Sequence, residues 1–143
     1  MIRKVLRLLG AALLLLATLL VAYGLFGLSK FNAYVGEFYD DRLVLFDNGL
    51  YPFMWGAAFF VFAELFRIRH AARVLAGVSA VSLCVFLWLK ARAPVAVSGQ
   101  QFFPDRSMLN ELLIACLVLL SVALADLLIS RRFRSGAGRK EVY

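Results

Sequence analysis

The sequence is poor in the residues from which catalytic and metal sites are usually built. It contains one histidine, His70, and two cysteines, Cys84 and Cys116, each of which stands alone. One histidine excludes bis-histidine haem ligation within this chain, and the cysteine spacing does not suit a zinc or redox motif. The sequence also lacks the fingerprints of serine hydrolases, zinc peptidases, P-loop proteins and dinucleotide-binding folds. We therefore expect no enzymatic activity, no metal and no cofactor.

Acidic residues are scarce as well, and apolar residues dominate instead. The chain has 9 acidic and 16 basic residues, and 63% of its 143 residues are hydrophobic. Soluble domains contain about 45–50% apolar residues, so the composition indicates a lipid bilayer as the first partner. The basic residues flank apolar runs and do not form a stripe with interleaved aromatic residues, which argues against nucleic-acid binding.

A short basic hinge, Phe66 to Arg73, separates two long apolar runs. Arg67, Arg69 and Arg73 fall within seven residues of it. Guanidinium groups do not remain in hydrocarbon, so the chain must reach the membrane surface here and turn back. Helices joined by so short a turn are antiparallel neighbours.

The apolar runs predict an all-α membrane protein, a four-transmembrane-helix bundle in a single domain over residues 1–130. The predicted helices cover about 5–28, 51–69, 71–89 and 107–130. The first run follows a basic start, as in a signal peptide. It is about 20 residues long and lacks an A-x-A cleavage site, which favours a membrane helix that is kept. Residues 131–143 are predicted to form a basic tail.

The polar loop after the first helix carries a second helical pattern. Phe31, Tyr34, Val35 and Phe38 recur at helical spacing, with acidic residues turned elsewhere. This pattern favours a short amphipathic helix on the outer membrane surface.

Basic residues are distributed unevenly between the two predicted sides of the membrane. Eleven of the 16 lie in the N-terminal segment, the hinge or the tail, and five lie in or beside the two outer loops. Cytoplasmic segments carry an excess of Lys and Arg, so both termini are predicted to be cytoplasmic. We expect a multi-pass protein of a bacterial inner membrane with periplasmic loops.

Two predicted helices carry small residues at regular spacing. The residues of these two faces are Gly10, Ala17 and Gly24 in the first helix and Ala72, Ala76, Ala80 and Cys84 in the third. Small side chains let helix backbones approach closely, and close packing drives helix association in lipid. We interpret both faces as candidate packing surfaces, for another helix of this chain or for a partner.

Two acidic residues fall within predicted helices, Glu64 in the second and Asp126 in the fourth. The helix faces that carry Glu64 and Asp126 can both point into the bundle. The two carboxyl groups are therefore predicted to meet near Arg7 or Arg73 in one polar layer. Ionisable groups within a membrane are candidate functional sites. Two interpretations stay open: a proton- or cation-binding site of a transporter, and structural ion pairs with neighbouring arginines.

These features favour a non-catalytic accessory or assembly subunit that binds a larger membrane partner or forms a homo-oligomer. The plan of four helices with both termini inside is similar to that of immunity proteins against pore-forming colicins and of small subunits in transport complexes. The similarity is one of topology and carries over no residue. The alternative functions are an immunity-type protein that blocks a pore-forming toxin in the membrane, and a small oligomeric transporter.

Overall fold

The computed structural model describes residues 1–30, 33–34, 46–92, 102–103 and 106–137. These residues form four α-helices, which are α1 (Ile2–Lys30), α2 (Tyr51–Leu65), α3 (Ala71–Arg92) and α4 (Arg106–Ala137). The predicted all-helical fold with four helices is therefore confirmed.

Two short elements accompany the helices. The strands β1 (Ala33–Tyr34) and β2 (Phe102–Phe103) pair antiparallel. A π-helical turn, Phe46–Leu50, leads directly into α2. Most of the segment predicted to be an amphipathic helix lies outside the described residues. At Ala33–Tyr34 that prediction is wrong, because the backbone there pairs with β2.

Three helices, α1, α3 and α4, are long and apolar enough to cross a membrane. Helix α2 has 15 residues. At 1.5 Å per residue it is about 22 Å long, which is less than the roughly 30 Å of hydrocarbon in a bilayer. The π turn before it lengthens the helical rod. Pro52 lies in the first turn of α2.

The hinge ends α2 at Leu65, four residues earlier than the sequence predicts. The N–H of Arg67 donates to the carbonyl of Glu64, and that of Ile68 donates to the carbonyl of Ala63. This pair of bonds is a Schellman motif with Arg67 in the left-handed position, where glycine is usual. The φ angle of Arg67 is 48°, and that of His70, just before α3, is 67°.

Helix α4 departs from the prediction at both ends. It begins at Arg106, one residue before the predicted start. It continues to Ala137, so the arginines assigned to a basic tail are helical as far as Arg134. Arginine is a good helix former, which explains why the helix outlasts the apolar run. Residues 138–143 lie outside the described part of the chain.

The four helices form two close pairs, α1 with α2 and α3 with α4, which meet mainly at α3. Glycines make the first pair close: a Cβ built at Gly24 would lie 2.6 Å from the backbone nitrogen of Phe53. Phe53 of α2 in turn packs edge-on against Phe86 of α3, with ring centroids 5.2 Å apart. Both rings are buried. Aromatic packing therefore joins the two pairs in the half of the bundle away from the hinge.

The start of α1, the hinge and the end of α4 lie together at one end of the bundle, which we call the hinge end. A Cβ built at Gly10 of α1 would lie 2.9 Å from the side chain of Ile68. The C-terminal part of α4 faces the hinge across a cleft. The described helices therefore place the basic segments of the chain on one side.

Candidate functional site

An open cleft of about 830 Å³ lies between the hinge and the C-terminal part of α4. We call it the hinge-end cleft. Its charged and polar lining consists of Glu64, Arg67, Arg69, His70, Arg73, Asp126, Ser130, Arg131 and Arg134. Apolar side chains, among them Ile68, Ile129 and Phe133, complete the wall.

Two elements position the charged lining. The hinge turn and the first turn of α3 supply three arginines from one side. On the other side, Asp126, Ser130 and Arg134 recur every four residues and so share one face of α4. The part of this wall that carries Arg131, Phe133 and Arg134 exists because α4 stays helical beyond Ser130. No sequence pattern places Arg134 in this site, because residues 131–143 are predicted to form a tail.

The carboxyl groups of Glu64 and Asp126 meet in the cleft. The side chain of Asp126 lies within hydrogen-bonding range of Glu64. The Oε1 atom of Glu64 is buried and accepts no hydrogen bond from the described residues. Two ionised carboxylates have no donor to offer each other. This pair therefore needs a shared proton, a cation, or a hydrogen-bond donor from water or a ligand.

The structure assembles the predicted polar layer in part. Glu64, Asp126 and Arg73 line the same cleft, whereas Arg7 is exposed on α1 and is not part of the lining. Within the described part of the chain, neither carboxylate forms an ion pair with an arginine at 4.0 Å or less. The described residues therefore contain no ion pair of the kind that the structural interpretation requires.

The small residues of α1 face inward. Gly10, Ala17 and Gly24 are all buried. Gly24 adjoins Phe53 and Gly49, and the backbone of Ala17 adjoins Gly56 of α2. This face is thus occupied by another element of the same chain.

The small residues of α3 are placed differently. Ala72 is buried, Ala76 and Ala80 are half-buried, and Cys84 is exposed. The helix buries a neighbouring face instead, and its buried residues are Ala71, Ala72, Leu75, Ser79, Ser82, Phe86 and Leu89. The end of the small-residue face at Cys84 is therefore open.

A second, apolar groove of about 460 Å³ lies at this open end. Leu25 and Phe26 of α1 line one side, and Cys84, Val85 and Trp88 of α3 line the other. Further along α3, a Cβ built at Gly77 would meet no described atom within 4 Å. Sequence spacing places Gly77 beside the small face but gives no sign that this position is open.

Among the residues that the structure describes, no group of three or more His, Cys, Asp or Glu side chains is arranged to hold a metal ion. Comparisons with protein-family models, curated proteins and solved structures find no match to this chain.

Proposed function

We propose that the chain is a non-catalytic integral membrane protein that serves as an accessory or interaction subunit of a larger membrane complex. The proposal includes a bacterial inner membrane with the hinge end in the cytoplasm, because most basic residues lie at that end. The observation that supports a binding role best is an open helix face on α3, the helix that joins the two pairs.

This open face consists of Gly77, Val81, Cys84 and Trp88. Their spacing of four, three and four residues places them on one side of the helix. All four are exposed, with Val81 at 60%. The small residues on either side of Val81 let a second backbone approach closely, which is how transmembrane helices associate. The apolar groove beside Cys84 extends this surface. We propose a transmembrane helix of a partner protein as its occupant.

Lipid chains can cover the same face, so the experiment must separate a protein partner from lipid. A photo-crosslinking amino acid replaces Val81 in the native membrane, and a matched one replaces Val118 on the exposed side of α4. We expect one defined protein adduct at position 81 and lipid adducts alone at position 118. An adduct with a second copy of the chain would identify the partner as a homo-oligomer.

Gly77 supplies the specificity control. Gly77→Leu should abolish the adduct at position 81, because the larger side chain keeps the partner backbone away. Gly77→Ala should retain it. Neither change should unfold the chain, since the site is open. Lipid adducts alone at both positions, or a protein adduct that Gly77→Leu leaves unchanged, would refute the proposal.

A second candidate function is favoured by the Glu64–Asp126 pair. Two carboxyl groups within hydrogen-bonding range, without an arginine partner among the described residues, suit proton or cation binding by a small oligomeric transporter. The test is reconstitution of the purified protein in liposomes with an imposed pH gradient. Proton-coupled flux that disappears in folded Asp126→Asn would establish the transporter and displace the accessory role. We expect no such flux.

A further inference from the structure

The hinge-end cleft carries an excess of positive charge that the described residues do not neutralise. Five arginines line it, against the two carboxyl groups of Glu64 and Asp126. The lining therefore keeps a net charge of at least +3 even when both carboxyl groups are ionised. None of the five arginines forms an ion pair or a side-chain hydrogen bond within the described part of the chain. An open cleft of this kind attracts an anion.

The backbone that presents these arginines is held in an unfavourable conformation. Arg67 and His70 both have left-handed φ angles, of 48° and 67°. A residue with a side chain in this region costs about 1–2 kcal/mol. Glycine at position 67 would form the same Schellman turn without that cost, but it would remove a cation from the cleft. Such strain is concentrated at functional sites, where the surrounding structure maintains it.

The arginines approach from both sides, which suits a phosphate group. Arg67, Arg69 and Arg73 come from the hinge and α3, and Arg131 and Arg134 come from α4. The planar guanidinium group binds phosphate oxygens through two parallel hydrogen bonds, and its charge does not depend on pH in the ordinary range. Several guanidinium groups around one cleft can therefore surround a single tetrahedral anion.

The apolar part of the lining indicates which source of phosphate fits. Ile129 and Phe133 lie on the same wall as the arginines, and they are 54% and 78% exposed. The cleft adjoins the ends of α3 and α4, two helices that are able to cross a membrane. Inorganic phosphate has no apolar part that could contact these side chains. A phospholipid carries its phosphate next to acyl chains, and basic pockets between membrane helices bind such headgroups.

We propose that the hinge-end cleft is a binding site for the phosphate group of an anionic phospholipid headgroup. The site is separate from the open face of α3. It holds whether or not the chain is an accessory subunit, so the two proposals succeed or fail independently.

The experiment measures binding of defined lipids to the full-length protein in detergent by native mass spectrometry. The probes are phosphatidylglycerol, phosphatidylcholine and inorganic phosphate at equal concentrations. We expect one phosphatidylglycerol to be retained per chain, with weaker retention of phosphatidylcholine and of inorganic phosphate. Equal binding of inorganic phosphate would show that the cleft binds a soluble phosphate and not a lipid. Equal binding of phosphatidylcholine would show that the cleft does not distinguish an anionic headgroup from a zwitterionic one. Either result would overturn the lipid assignment.

Matched variants test the position of the site. Arg69→Gln combined with Arg134→Gln removes one cation from each wall of the cleft. Arg3→Gln combined with Lys4→Gln removes the same charge from the same end of the bundle but outside the lining. Each lost arginine removes a charge-assisted hydrogen bond to the phosphate and should raise the Kd for phosphatidylglycerol about tenfold. The double variant in the cleft should therefore raise this Kd about 100-fold. The control pair should change the Kd less than about threefold, because it removes only exposed charge.

Equal losses in the two double variants would mean general attraction to a basic surface, and would overturn the proposal. Arg134→Lys is the control that separates lost binding from unfolding, because it keeps the charge and removes only the bidentate contact. It should weaken phosphatidylglycerol binding several-fold while leaving the unfolding midpoint unchanged. Unchanged binding in folded Arg134→Lys and in the folded cleft double variant would exclude this cleft as the site. An acidic peptide that displaces the lipid completely at equal concentration would assign the cleft to a protein segment instead.

Discussion

Replacing Gly24 by alanine should destabilise the protein relative to the same replacement at Gly77. Both glycines lie within helices that are long and apolar enough to cross a membrane, α1 and α3. A Cβ at Gly24 would lie 2.6 Å from the nitrogen of Phe53 and 2.7 Å from the carbonyl oxygen of Gly49. Both are backbone atoms, so no side chain can rotate away. A Cβ at Gly77 would meet no described atom within 4 Å.

The expected magnitude follows from the separation that the new methyl group requires. The 2.6 Å approach is about 0.8 Å shorter than the 3.4 Å at which ordinary van der Waals contact begins. Helix α1 must move away from α2 by about that distance, and its neighbours lose part of their contacts. Overpacking of this kind costs roughly 1–3 kcal/mol. Alanine also gains about 1 kcal/mol over glycine in a helix interior, and this gain is common to both positions.

The comparison therefore isolates the contact between α1 and α2. The free energy of unfolding of Gly24→Ala should be about 1–3 kcal/mol below that of Gly77→Ala. The measurement is equilibrium unfolding in mixed micelles with increasing dodecyl sulfate, followed by far-ultraviolet circular dichroism. Gly56→Ala tests the same contact from the other helix, because its Cβ would lie 2.8 Å from the carbonyl oxygen of Ala17. Equal stability of Gly24→Ala and Gly77→Ala would show that α1 and α2 do not pack through glycine.

Two further predictions concern α3 and the hinge-end cleft. In the folded protein in detergent, N-ethylmaleimide should modify Cys84, which is exposed, and should not modify Cys116, which is 1% exposed, until the protein unfolds. Equal rates of modification of the two cysteines in the folded protein would contradict the packing of α4 on α3. Asp126→Asn should leave stability unchanged or raise it by about 1 kcal/mol at neutral pH, because the amide can donate to the unsatisfied Oε1 of Glu64. Asp126→Leu offers no hydrogen-bond donor and should lower the stability. If titration with dodecyl sulfate finds the two variants equally unstable, a direct contact between the side chains of residues 64 and 126 is excluded.

The number of helices and the position of the central turn follow from features of the sequence with simple physical causes. Apolar runs interrupted by arginines predict helices that end at a charged turn, because guanidinium groups leave hydrocarbon. On the predicted helices, which end at about residues 69 and 130, Glu64 and Asp126 lie five and four residues before the hinge end. Both helices run towards that end, which brings the two carboxyl groups to a similar depth, and the structure places them together.

Other features depend on tertiary contacts that no local pattern encodes. The four-residue spacing of small residues on α3 suggests one packing face, but α3 buries an adjacent face that carries Leu75 and Phe86. The reason is that α3 lies where the two helix pairs meet, and large side chains fill that space. The left-handed turn at Arg67 has no sequence signal either, because the residue that usually marks it is glycine.

The unfavourable features of the described structure are concentrated at one place. Arg67 and His70 adopt left-handed backbone angles, the buried Oε1 of Glu64 lacks a donor, and the arginines of the cleft lack carboxylate partners. The pair α1 and α2, by contrast, packs through glycines and apolar side chains over most of its length. Local conflicts with folding rules that share one site indicate a requirement other than stability. A ligand that supplies both negative charge and a hydrogen-bond donor, as the headgroup of phosphatidylglycerol does, would relieve several of these conflicts at once. The hinge-end cleft is for this reason the part of the molecule where binding should stabilise the folded chain most.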